Sequence, residues 1–238
     1  MTTNDLPLKV RRYKYLDMLT TMFVVILLVS NLVAQKICMI GPLAVSGAVL
    51  LFPITYIFGD VFTEVYGFSA SRRAIWLGTF GTALLYLMGV IVIALPGAPG
   101  WKNQQAFEIV FGFLPRIQVA SLIAFWAGDF ANSYTLARMK LLTEGRWLWT
   151  RTVGSTVVGQ AVDTTLVIVL TFGGKYSAGT LVNMIVTGYG LKVAYEVLAM
   201  PVTYAVVGWL KRSEHADAFD RHEDFNPFRI GGLGPDEA

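Results

Sequence analysis

Residues 52–73 read FPITYIFGDVFTEVYGFSASRR. The stretch begins as apolar membrane helix and ends on a basic pair, Arg72 and Arg73. Between these ends stand two carboxylates, Asp60 and Glu64, whose four-residue spacing puts both on one helix face. Acids beside membrane-depth sequence are costly and need a compensating environment. Either they mark where the chain leaves the lipid, or they face a polar cavity inside a helix bundle. The rest of the chain decides between the two.

Of 238 residues, 55% are apolar and only 15% charged, against about a quarter charged in soluble domains, and the mean hydropathy is +0.56. This is the composition of an integral membrane protein, and its length suits one domain of about six helices. The net charge of +3 is too small to suggest nucleic acid. Cys38 is the single cysteine, so no intrachain disulfide forms, and both histidines, His215 and His222, lie in the polar C-terminal tail. No metal site and no cofactor is expected. The first apolar run is too long for a signal peptide and lacks a small-residue cleavage site.

The expected fold is an all-α integral membrane protein with six transmembrane helices and both termini cytoplasmic. A polar, basic segment over 1–17 precedes a transmembrane domain over 18–210. The tail over 211–238 is charged, rich in Gly and Pro, and expected to be disordered. The spans fall at 18–35, 42–58 (extended by 59–68), 74–95, 117–137, 152–172 and 180–210. Pro53 and Pro201 are expected to kink the second and sixth spans by removing helix hydrogen bonds. The segment over 101–116 is expected along the interface. With the N-terminus inside, fourteen Lys and Arg fall on cytoplasmic segments and four (Lys36, Lys102, Arg116 and Lys175) outside, with Lys192 left within the sixth span.

Several spans carry polar residues that lipid would not tolerate. Asn31 and Gln35 are four apart in the first span, and Asp129 and Asn132 three apart in the fourth, near Trp126 and Tyr134. Thr156, Gln160 and Asp163 share a face of the fifth, and Lys192 and Glu196 lie four apart in the sixth, next to Tyr195. An ionised group at the bilayer centre costs roughly 3 kcal/mol or more, so these residues must converge on the bundle interior. Structural readings stand beside the functional one. Lys192–Glu196 could be a self-neutralising pair, and Asp129 and Asp163 could bond helix to helix. Gly78, Gly81, Gly154, Ser155 and Gly159 are read as permitting close helix approach. Trp101, Trp147 and Trp149 are read as interfacial anchors.

The interior offers carboxylates, amides, aromatic rings and one lysine. It holds no nucleophile–base pair, no phosphate loop and no arginine cluster at membrane depth. It therefore suits a flat, polar, neutral or cationic heterocycle. Carboxylates accept adjacent N–H groups, amides pair both their edges, and rings contribute about 1–3 kcal/mol of stacking per base.

Four blocks carry a resemblance to a known family: GDVFTEVYG at 59–67, WAGDFANSYTLARMK at 126–140, RTVGSTVVGQAVDT at 151–164 and YGLKVAYEVLAMPVTY at 189–204. In this order they resemble the signature blocks of the bacterial queuosine precursor transporters, relatives of vitamin uptake transporters with a fold like the substrate-binding subunits of energy-coupling factor transporters. The resemblance spans roughly 15–212. It implies six helices, a multi-pass place in the bacterial cytoplasmic membrane, and import of 7-cyano- or 7-aminomethyl-7-deazaguanine for tRNA modification. The family's polar signature positions fall on Asp60, Glu64, Asp129, Asn132, Gln160, Asp163, Lys192 and Glu196.

The leading expectation is thus a transporter with no catalytic residues. Asp163 or Glu196 is the expected acceptor for the guanine-like edge. Asn31, Asn132 and Gln160 are amide partners, and Trp126, Tyr134 or Tyr195 stack. Glu64, Asp129 and Lys192 complete the site, while Asp60 and Glu64 line the exit or gate and movement about Pro53 and Pro201 alternates access. No ATP-binding motif is present, so a second reading makes the chain the capture subunit of an energy-coupling complex. A membrane enzyme is the third and least favoured reading, because Asp60–Glu64 has no second acid pair to match it. Expected partners are a small-molecule substrate and the lipid bilayer, and small-residue faces leave room for a homodimer.

Overall fold

The computed structural model describes residues 13–34, 36–40, 43–112, 115–221 and 223–228. Gln35, His222, most of the N-terminal segment and the end of the tail lie outside the described residues. The elements run α1 Leu16–Val33, β1 Ile37–Ile40, β2 Leu43–Ser46, a 3₁₀ turn Gly47–Leu50, α2 Phe52–Val61, a π-helical turn Phe62–Tyr66, α3 Phe68–Ala94, α4 Gln104–Phe111, α5 Pro115–Leu142, α6 Leu148–Phe172 and α7 Ala178–Glu214. Among the described residues, five segments are long and apolar enough to cross a membrane: α1, α3, the Gln104–Leu142 segment containing α4 and α5, α6, and α7. Their outer faces are apolar, with Leu84 and Leu87 on α3 and Leu191 and Leu198 on α7 more than half exposed, as lipid-facing side chains are.

The second expected span takes a different form. Residues 37–40 and 43–46 pair as antiparallel strands, and the helix starts only at Phe52. Pro53 therefore sits in the first turn of α2, where a missing N–H costs nothing, and the expected kink becomes a helix start. α2 and the π turn make a short element, deeply buried from Asp60 to Tyr66. It ends at Gly67, whose φ of +89° suits glycine, and a Cβ there would lie 2.7 Å from Asp220 Oδ1. Pro201 lies inside α7, which runs through it to Glu214.

α5 and α6 form the most extensive helix pair. Gly128 and Gly159 make it possible: a Cβ on Gly159 would sit 2.7 Å from Asn132 Cβ and 3.0 Å from the Gly128 carbonyl oxygen. The reading of Gly159 as a close-approach residue is thus met. Gly159→Ala is expected to lower stability by about 1–3 kcal/mol through overpacking. Thermal unfolding of the detergent-solubilised chain checks this, and an unchanged midpoint would mean that the helix pair yields freely.

The tail departs from the expected disorder. Phe68 N–H donates to Asp220 Oδ1 at 3.0 Å, Arg72 pairs with Glu223 at 3.0 Å, and Trp76 Nε1–H donates to the Pro227 carbonyl at 2.7 Å. Phe225 packs on Phe68 and Phe228 on Trp126. Tail residues 215–221 and 223–228 hold a fixed path along the ends of α3 and α5 because charged and aromatic side chains anchor them. Composition alone does not reveal such specific partners.

Candidate functional site

Glu64, at the centre of the π turn, is fully buried and sits among three cations. Arg151 Nε donates to Oε2 at 2.8 Å and its Nη2 to Oε1 at 2.7 Å, while Lys211 Nζ reaches Oε1 at 2.5 Å and Lys140 Nζ lies 3.5 Å away. The network ties the π turn to α5, α6 and α7. Asp217 extends it, contacting Lys140 at 2.5 Å and Lys211 at 2.8 Å. Partial burial pushes the Asp217 carboxyl up, but hydrogen bonds from Lys140 and Lys211 outweigh this and hold it below the usual carboxylate range. Glu64, expected at the substrate, is instead saturated by protein cations and does not line the cavity described next.

That cavity, of 320 Å³, opens among α1, α2, α3, α5, α6 and α7. Its volume is at the small end of the range for ligand pockets. Asp129 from α5, Asp163 from α6 and Lys192 from α7 are its charged lining residues. Lys192 donates to Asp163 Oδ2, forming an ion pair across two helices. The alternative reading of Lys192 and Glu196 as a self-neutralising pair along one helix is not met among the described residues. The long lysine side chain reaches the carboxylate of the neighbouring helix instead. Asn31 lines the same wall, and its Oδ1 accepts from Tyr86 Oη at 3.0 Å. Thr82 and Gln118, 4% and 5% exposed, also line it, and Thr82 Oγ1 and Gln118 Nε2 have no hydrogen-bond partner among the described residues. Tyr56, Tyr86 and Phe125 supply ring surface.

A small polar recess adjoins the cavity and shares Thr55, Tyr56 and Asp129 with it. Asp60, Asn132, Thr156 and Gln160 line the recess, and Asn132 Nδ2 donates to Asp60 Oδ1 at 3.5 Å. Gln160 Oε1 has no hydrogen-bond partner among the described residues. Glu196, 1% exposed, adjoins Asp60, and the two carboxyl groups hydrogen-bond to each other when one holds a proton.

Of the expected site residues, the structure thus gathers Asn31, Asp129, Asp163 and Lys192 at the cavity, and Asp60, Asn132 and Gln160 at the recess. It does not bring the expected stacking residues there. Trp126 packs against Trp76, Phe130 and Phe228. Tyr134 meets Phe225 edge-on, and Tyr134 and Tyr195 are 45% and 40% exposed on outer faces. Sequence reasoning missed Tyr56, Thr82, Tyr86, Gln118 and Phe125. Two signals pointed to some of them: Tyr56 stands one turn before Asp60 on the same face, and Thr82 and Tyr86 are four apart in an apolar span.

Membrane-length helices around a solute-sized cavity with a few converging charges define a multi-pass membrane protein of transport type. Residues 46–206 match the family described as "Putative vitamin uptake transporter", and the chain belongs to that family. It is similar to a protein named "Probable queuosine precursor transporter" from Bacillus subtilis (strain 168), 32% identical over 160 residues, which are 66% of this chain and 69% of the relative. The chain is a multi-pass protein of the bacterial inner membrane with a transport role. No solved structure matches it.

Proposed function

We propose that the chain imports queuosine precursors, 7-deazaguanine bases, through the 320 Å³ cavity. The observation that carries this reading is the Asp163–Lys192 pair in the cavity wall. It sets a carboxylate acceptor beside an ammonium donor. A guanine-like edge offers the complement, an N–H donor beside a carbonyl acceptor. Asp163 would take the ring N–H groups and Lys192 the carbonyl, with Tyr56, Tyr86 or Phe125 against the ring face. Asp163 keeps its expected role, while Glu196 moves from substrate acceptor to partner of Asp60.

In this reading α2 and the π turn act as the sixth, short crossing, about 22 Å for their fifteen residues. Glu64, Lys140, Arg151, Lys211 and the tail then share one end of the bundle. The excess of Lys and Arg at that end makes it cytoplasmic, along with both termini. Asp60 and Glu196 would carry a coupling proton if import is driven, and motion about Pro201 would alternate access.

Liposomes holding only the purified chain test the proposal with labelled 7-cyano- and 7-aminomethyl-7-deazaguanine, with and without a proton gradient. Uptake of either base is the expected outcome. Gradient-dependent accumulation would mark proton coupling, and equilibration alone facilitated diffusion. Binding without uptake would favour the capture subunit of an energy-coupling complex, and absence of binding would remove the substrate assignment.

A further inference from the structure

The charged groups of the cavity are unevenly paired. Lys192 is committed to Asp163, whereas Asp129 lines the same cavity and makes no hydrogen bond or ion pair among the described residues. The other described elements around the cavity bring no second cation. Asn31 of α1, Thr82 and Tyr86 of α3 and Gln118 of α5 are neutral, and the adjoining recess holds only the further acid Asp60, with Glu196 beside it. The cations nearest the π turn, Lys140, Arg151 and Lys211, are held by Glu64 and Asp217, and Arg116 donates to the carbonyls of Leu170 and Gly173 at 2.6 and 2.8 Å. The cavity lining therefore carries one carboxylate more than it has cations.

We infer that the site selects a flat base bearing one positive charge on a side arm, and that Asp129 determines this specificity by receiving the ammonium. This rests on the proposed function and goes one step further by choosing between charged and neutral substrates. The division of labour follows from the pairing. Asp163 and Lys192, already side by side, meet a neutral hydrogen-bonding edge without changing the charge of the wall. Asp129 projects from α5 into the same cavity, where the nearby Lys192 ammonium is already bonded to Asp163. A neutral base would leave it without a bonded counter-charge, whereas an ammonium supplies a charge-assisted hydrogen bond. Thr82 Oγ1 and Gln118 Nε2, buried in the cavity wall with no hydrogen-bond partner among the described residues, offer a polar ligand two further groups to bond.

The test uses the full chain in lipid nanodiscs and two probes that differ only in the arm: 7-aminomethyl-7-deazaguanine, cationic at neutral pH, and neutral 7-cyano-7-deazaguanine. The wild-type chain is expected to bind the cationic base roughly tenfold or more tightly, the scale of one hydrogen bond to a charged group. Asp129→Asn is expected to erase that preference by weakening the cationic base alone, and Asp129→Glu to restore it. Equal affinity of the wild type for the two bases would overturn the inference without any variant having to fold. So would an Asp129→Asn protein that loses both bases equally, because Asp129 would then hold the ring edge. Binding of neither base would defeat the substrate reading, and the inference with it.

Discussion

Replacing Glu64 by glutamine is expected to cost about 3–5 kcal/mol of stability, the scale of breaking a buried ion pair from one side. The reason is what remains behind. Arg151 and Lys140, each 1% exposed, would lose the carboxylate that compensates their desolvation, and only Lys140 would keep another anion, Asp217. The loss is a large share of a total stability on the order of 5–15 kcal/mol. For a chain of this length it corresponds to a fall in unfolding midpoint of roughly 6–20 °C. Thermal unfolding in detergent, followed by intrinsic tryptophan fluorescence, measures it. A shift within about 2 °C would show that the network contributes nothing. Substrate affinity of the fraction that stays folded should be unchanged, because Glu64 does not line the cavity. Weakened binding in that fraction would return Glu64 to the substrate site.

Lys192→Gln is expected to act in the opposite way, on function and little on stability. The Lys192 and Asp163 side chains are 29% and 22% exposed, so water in the cavity can solvate an Asp163 left alone. The substrate carbonyl, in contrast, loses an ammonium donor. A hydrogen bond to a charged group is worth about 1.5–3 kcal/mol, so affinity should fall roughly 10- to 150-fold. Binding and liposome uptake of a labelled deazaguanine measure this, with the unfolding midpoint as the control for folding. Affinity within twofold of wild type would remove Lys192 from the site.

The cost of charge in lipid makes Asp129, Asp163 and Lys192 legible in the sequence alone, and all three line the cavity. The same argument correctly buries Asp60, Glu64 and Glu196. It does not tell which buried acid faces a substrate and which faces another part of the chain. Glu64 is the clearest case. Its partners Lys140, Lys211 and Arg151 come from three other helices, and helix spacing gives no information on such remote pairs. Lys192 shows a related limit. Glu196 stands four residues away, yet the ammonium reaches Asp163 of another helix. The stacking aromatics failed for a simpler reason: proximity in sequence to an acid does not aim a ring at the acid's cavity. Tyr195 follows Lys192 by three residues yet is 40% exposed on an outer face.

Sequence by itself determined the membrane class, the positions of most of the long helices and the set of charged residues that must be withdrawn from lipid. These follow from local hydropathy and from the cost of charge, which each segment carries independently of its neighbours. Only the tertiary structure decided that the second apolar segment breaks into a pair of antiparallel strands, a short helix and a π turn, that the described part of the tail docks, and that the acids divide between a structural ion network and a cavity. Those outcomes depend on how helices rotate and how closely they approach, as at Gly128 and Gly159, and on long side chains choosing among remote partners.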